Sequence, residues 1–191
     1  RSCFDAMEPN NTKQGRRLYG NNNYGNSNLL QWLNSSAAAN NWYSAKHSKD
    51  APPNSANVSS DRGTPINPYD TEAGFLSFFP DKLKNALLTA TKKYVQCSGD
   101  GGYLTTNDTK LFLLSRNEVG LGTEKDSAWE GSDYRYYDNA TNTKRVKNLA
   151  SNAAKGNYSA ATSPHYWWLR TPYYYDEYST RCVEGSGGLT S

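Results

Sequence analysis

At 191 residues, with 36% hydrophobic side chains and a net charge of +3 from 21 basic and 18 acidic residues, the chain suits a single domain. No Lys/Arg run exceeds two residues and no apolar stretch nears the ~20 residues of a membrane span, so nucleic-acid binding and membrane insertion are not expected. The mean hydropathy of −0.89 sits beside 15 tyrosines and 5 tryptophans, a pairing that means a folded domain with a polar, loop-rich exterior rather than disorder.

Cys3, Cys97 and Cys182 lie far apart, as do His47 and His165. No Cys-x-x-Cys pair is present, so no zinc site, and no other cofactor, is expected. An odd cysteine count argues against a disulfide framework and for small buried thiols, with one bridge still open. Beginning at Arg1 and ending at Ser191, the chain reads as a piece of a longer protein.

In chain order, Ser2–Met7 alternates weakly and suggests a strand, and residues 8–17 read as polar and turn-rich. After the loop Tyr19–Gly25, caps at Asn26–Asn28 precede Leu29, Leu30, Trp32 and Leu33, which predicts a short helix over Ser27–Leu33. Residues 46–70, rich in Ser, Asn and Pro, read as a long excursion. Pro80 followed by Leu83, Ala86, Leu87 and Ala90 predicts a helix over Pro80–Thr89. Lys92–Cys97 reads as a strand, the Gly99-Asp100-Gly101-Gly102 run as a turn, and Lys110–Ser115 as a buried strand. Residues 116–120 then turn. Trp129–Asp138 mixes aromatics and acids into a polar aromatic surface that includes Tyr136, and Lys144–Ala154 suggests a short helix. Helices early and short strands late predict an α+β fold with an antiparallel sheet.

The aromatic run Tyr166–Thr171 closes at Pro172, which has no amide hydrogen for a ladder. Tyr173, Tyr174, Tyr175, Asp176, Glu177 and Tyr178 follow, then a return strand at Arg181–Val183 and a Gly-rich turn. A strand, a polar aromatic loop and a return strand are the layout of a binding loop on a scaffold. Tyrosine supplies contact area at low entropic cost, and Asp176 and Glu177 oppose burial of the whole segment. The ligand-binding candidates are these six residues with Trp129 and Tyr136.

Three stretches also carry a resemblance: Tyr19–Tyr24 through Ser27–Ser35, Leu111–Ser115 through Glu118-Val119-Gly120, and Tyr166–Pro172 through Arg181–Val183. Together they resemble a family of domains of unassigned function found in phage structural proteins and bacterial surface proteins. The resemblance implies a C-type-lectin-like fold, shared with formylglycine-generating enzymes and retroelement-diversified receptor-binding proteins. With the elements read above, it gives the expectation of one C-type-lectin-like domain over residues 1–191, with two short helices, a small twisted antiparallel sheet and long loops.

The function expected is recognition of a host glycan or protein receptor at a virion or extracellular surface, within a homo-oligomer. The alternative is a purely structural virion subunit whose aromatic surfaces mediate assembly. Catalysis is not expected. Ser163 and His165 lack a nucleophile elbow and a third partner, and no local motif supports Cys97 with Cys182 as a copper-oxidase pair. Asp176-Glu177 and Glu124 with Asp126 lack the dense oxygen-ligand spacing of a calcium loop.

Overall fold

The computed structural model describes residues 4–43, 69, 71–122, 130–137, 141–145, 147–148 and 164–191. Four short helices lie among them: α1 (Gln14–Tyr19), α2 (Asn28–Leu33), α3 (Asp81–Ala86) and α4 (Asn142–Arg145). The strands are β1 (Ala90–Val95), β2 (Leu104–Thr109), β3 (Lys147–Asn148), β4 (Pro164–His165), β5 (Trp167–Pro172), β6 (Thr180–Val183) and β7 (Leu189–Thr190). They pair into small antiparallel sheets, β1-β2, β3-β4 and β5-β6-β7, so the fold class is α+β. None of the described helices is long and apolar enough to cross a membrane.

Helix α2 forms where the capping residues place it. The Ser27 hydroxyl accepts the Leu30 N–H at 3.2 Å, and Leu29, Leu30 and Trp32 turn one face into the core. Asn34 closes the other end, donating to Leu30 O at 3.0 Å and Leu111 O at 2.8 Å while accepting from Lys110 N at 2.8 Å. The expected helix over Pro80–Thr89 is shorter. Pro80 caps it, but Leu87 takes an extended conformation (ψ 120°), and no residue of α3 is buried. Without a packed face the apolar spacing has nothing to propagate the helix.

Four other expectations are corrected. Residues 8–17 are not only turn, because α1 begins there although it contains Gly15 and no apolar stripe marks it. Residues 4–7 are not a strand. Asp5 instead accepts Asn21 N and Asn28 N, both at 2.9 Å, drawing the segment against α2. The apolar run 110–115 forms no ladder strand, since its polar backbone groups go largely to side chains. Leu113 N donates to the Tyr24 hydroxyl at 3.0 Å and Leu113 O accepts from Arg170 at 2.8 Å. The helix expected from Lys144 begins earlier, at Asn142, and ends by Arg145, and Lys147–Asn148 pairs with β4. The rest of that prediction, like His47, Cys3, Glu124, Asp126 and the 46–68 excursion, lies outside the described residues.

The core has two parts. Phe4, Tyr24, Leu29, Leu30, Trp32, Trp42, Tyr69 and Tyr94 form one, in which Trp32 and Tyr69 pack with ring centroids 4.9 Å apart. Val119, Tyr137, Leu169 and Val183 form the other. Strand β5 serves both, since neighbouring strand residues face opposite sides. Leu169 is buried in the second part, and half-buried Trp168 meets Phe4 of the first edge-on at 6.0 Å.

Candidate functional site

The C-terminal loop is held by a buried polar seam. Arg170, fully buried on β5, donates to Lys93 O and Leu113 O at 2.8 Å each, to the Glu118 carboxylate at 2.5 Å and to Glu130 O. Glu118 accepts Ser115 N at 2.9 Å while Ser115 Oγ accepts Glu118 N at 3.1 Å, the reciprocal arrangement of a capping box closing the 116–120 turn. Lys92 adds a second cation to Glu118 at 2.8 Å. Burial pushes the Glu118 carboxyl up, yet Arg170, then Lys92 and Ser115 N, hold it below its ordinary value. Beside it Glu130 accepts Val95 N at 2.9 Å and the Thr171 hydroxyl. Lys93 and Val95 turn backbone groups to the edge of β1 away from β2, so side chains of Arg170 and Glu130 stand where another strand would pair.

Beyond Pro172 the loop's backbone is pinned from beneath. Tyr173 N donates to Ser179 O at 2.8 Å, and Asp176 Oδ1 accepts Tyr178 N at 3.1 Å and Ser179 N at 2.6 Å, closing a local Asx turn. The Asn22 side-chain amide donates to Asp176 O at 2.9 Å and Ser179 O at 2.8 Å, with Tyr173 O at 3.4 Å. Arg16 Nε donates to Glu177 O at 3.0 Å, and Ser98 N to Tyr174 O at 2.8 Å. Helix α1, the Asn22 segment and the turn after β1 therefore all grip one loop.

The side chains divide. Tyr178 lies on α1, where its ring would sit 2.0 Å from a Cβ at Gly15 and packs tilted against Tyr19 with centroids 5.1 Å apart. Tyr173 lies under the Arg181 guanidinium at 4.5 Å. Tyr174 is half-buried with its hydroxyl toward Gly102, which keeps a positive φ of 68° in the turn. Tyr175 is 62% exposed, and Tyr103, directly after Gly102, is 71% exposed. Asp176 and Glu177 are half-buried. Tyr136 is 61% exposed on the 131–137 turn, against Tyr137 of the second core, and so belongs to a different element. Trp129 lies outside the described residues. Arg16, Asn22, Ser98 and Tyr103 were not singled out from the sequence. Asn22's partners are 151 to 157 residues away, and no local pattern carries that separation.

Cys97 is buried, and its Sγ lies 3.5 Å from Asp100 Oδ2. Burial, and then the Asp100 charge, push the thiol up, away from the reactive thiolate. Asp100 itself is held low by Arg16 and then Lys13 against the opposing effect of burial. No group of three His, Cys, Asp or Glu side chains suited to a metal ion occurs among the described residues.

The chain matches the family model described as Domain of unknown function (DUF6273) over residues 5–191. It belongs to that family. No curated protein and no solved structure matches it. Within this DUF6273 domain, the three stretches that carry the resemblance meet around one structure. Asn22 grips the Tyr loop, Ser115 and Glu118 receive Arg170, and β5 and β6 frame the loop between them.

Proposed function

We propose that this DUF6273 domain is a recognition module of a virion tail or fibre, or of a bacterial surface protein. Its loop Tyr173–Thr180 binds a host glycan or protein receptor outside the cell. One observation carries the reading: the loop's backbone is fixed by Asn22, Arg16 and Ser98 while Tyr175, and Tyr103 on the turn that Tyr174 meets, are exposed. A rigid backbone presenting exposed phenol rings supplies binding area with little ordering cost on association. In this reading the fold is a C-type-lectin-like variant, with the loop on its C-terminal strands. Burial and the Asp100 charge, which push the Cys97 thiol up, argue against that sulfur as a nucleophile.

A structural role in the virion is the second reading, and the α3 side of the domain favours it. Phe78, Leu83 and Leu88, in and beside α3, are 51%, 45% and 85% exposed, apolar side chains that a subunit contact would cover. Substituting Tyr175 and Tyr103 with serine separates the two. Loss of attachment to host cells with normal assembly supports recognition. Unchanged attachment of a folded double variant overturns it. For the structural reading, Leu88→Asp should block assembly and leave the monomer folded.

A further inference from the structure

We propose that Glu130 is a proton-operated latch on the seam between β1 and β5: with its carboxyl protonated the seam stays closed, and ionisation favours opening it to water. The carboxyl is 1% exposed and bridges two elements, accepting Val95 N of β1 at 2.9 Å and the Thr171 hydroxyl of β5. Both partners are neutral, and the protonated carboxyl donates its O–H to Thr171 Oγ, which also accepts Arg116 N at 2.9 Å. The charged groups around it among the described residues are Arg170 from β5, Glu118 from the 116–120 turn and Lys92 from β1, and the cations are spent elsewhere. Arg170 directs Nη1 to Glu118 and Nη2 to the Glu130 carbonyl rather than its carboxylate, and Lys92 Nζ binds Glu118. A buried carboxylate that no cation bonds among the described residues is relieved either by taking a proton or by reaching water.

The direction of the titration follows the geometry. Burial pushes the Glu130 carboxyl from 4.5 up to about 7, against the pull of Thr171, Arg170 and Val95 N and with the help of the Glu118 charge. In the opened seam the hydrated group returns toward its ordinary value. A folded value above the open value means the closed seam binds the extra proton. Closure is therefore fully supported below about 4.5, loses support as pH rises, and levels off above about 7. Val95 leads toward the Ser98 turn that holds Tyr174, and Thr171 precedes Pro172 and the Tyr loop, so the latch joins the two supports of that loop. The inference stands whether or not the loop binds a receptor.

Two measurements on the wild-type protein test it: a carbon-13 titration of the Glu130 carboxyl, and hydrogen exchange at the Val95 amide corrected for intrinsic rate. The expected result is a carboxyl that titrates near neutrality, with a Val95 opening constant rising roughly tenfold per pH unit between about 4.5 and that point and flat outside that window. Glu130→Gln keeps an acceptor for Val95 N and removes the charge, so its Val95 opening constant should not vary over the same range. A Glu130 carboxyl titrating in the ordinary glutamate range overturns the proposal. So does Val95 opening that ignores the Glu130 titration, or an unchanged pH slope in Glu130→Gln. The two wild-type measurements decide the matter even where the variant does not fold.

Discussion

Asn22 donates its side-chain amide to the Asp176 carbonyl at 2.9 Å, joining positions 154 apart in the chain. The bond explains how an eight-residue polar loop keeps one shape: the same amide reaches Ser179 O at 2.8 Å, so a single side chain ties both arms. Asn22→Ala strands those carbonyls in a buried site, where each lost donor costs about 1–3 kcal/mol. Urea unfolding should show a loss in that range, and receptor binding should weaken beyond what the change in melting temperature accounts for. An Asn22→Ala protein with wild-type stability would remove the pin from the account.

Arg170→Met should destabilise by about 3–5 kcal/mol, because it leaves Glu118 and several carbonyls buried without their donor. Arg170→Lys should recover little. An ammonium on a flexible stem cannot reach Lys93 O, Leu113 O and Glu118 with the spread of a guanidinium. Chemical denaturation of both variants checks this, and a lysine variant close to wild type would refute it.

The tyrosines of the loop should separate by burial. Tyr175→Ser should stay within about 0.5 kcal/mol of wild type, as exposed changes do. Tyr178→Ser should cost more because its ring covers Gly15 and Tyr19. Gly15→Ala offers an independent check. Helix propensity favours alanine by up to about 1 kcal/mol, yet the new Cβ would fall 2.0 Å from the Tyr178 ring. We expect a lower melting temperature; a higher one would show that Tyr178 is not seated on α1.

Trp32→Ala should cost about 3–5 kcal/mol, since the indole is buried against Tyr69 and Phe75 and donates to Ala73 O at 2.9 Å. Trp168→Ala should fall nearer the low end of that range because the ring is only half-buried on Phe4. Equal losses in the two variants would contradict the assignment of Trp168 to the margin of the core.

Acid should act on Asp100 and Glu118 in the opposite sense to Glu130. Their folded values lie below the ordinary 3.8 and 4.5, so the stability they contribute is present above those values and is lost as pH falls through the folded ones. Unfolding measured from pH 2 to 8 should therefore show stability rising on leaving the acid range and then declining toward about 7 as Glu130 ionises. Asp100→Asn should flatten the acid limb and leave the upper one. A single monotonic rise across the whole range would contradict the Glu130 assignment, and the absence of a rise on leaving the acid range would contradict those of Asp100 and Glu118.

Local signals in the sequence determined the α+β class, helix α2 through its Ser27 cap, the Gly101-Gly102 turn, the end of β5 at Pro172, and the loop that follows. Each rests on interactions within a few residues, where capping groups, proline and glycine act directly on backbone dihedrals. Only the tertiary structure decided the rest. Helix α1 carries no apolar stripe and packs through a glycine against Tyr178. The run 110–115 has the apolar content of a strand, but Asn34, Tyr24 and Arg170 take backbone bonds that a ladder would have used. The same holds at the candidate site. Composition marked the tyrosines, while long-range contacts decided which are seated and which are exposed. Tyr178 is spent on α1, and Tyr175 faces water because Asn22, Arg16 and Ser98, all distant in sequence, hold the chain beneath it.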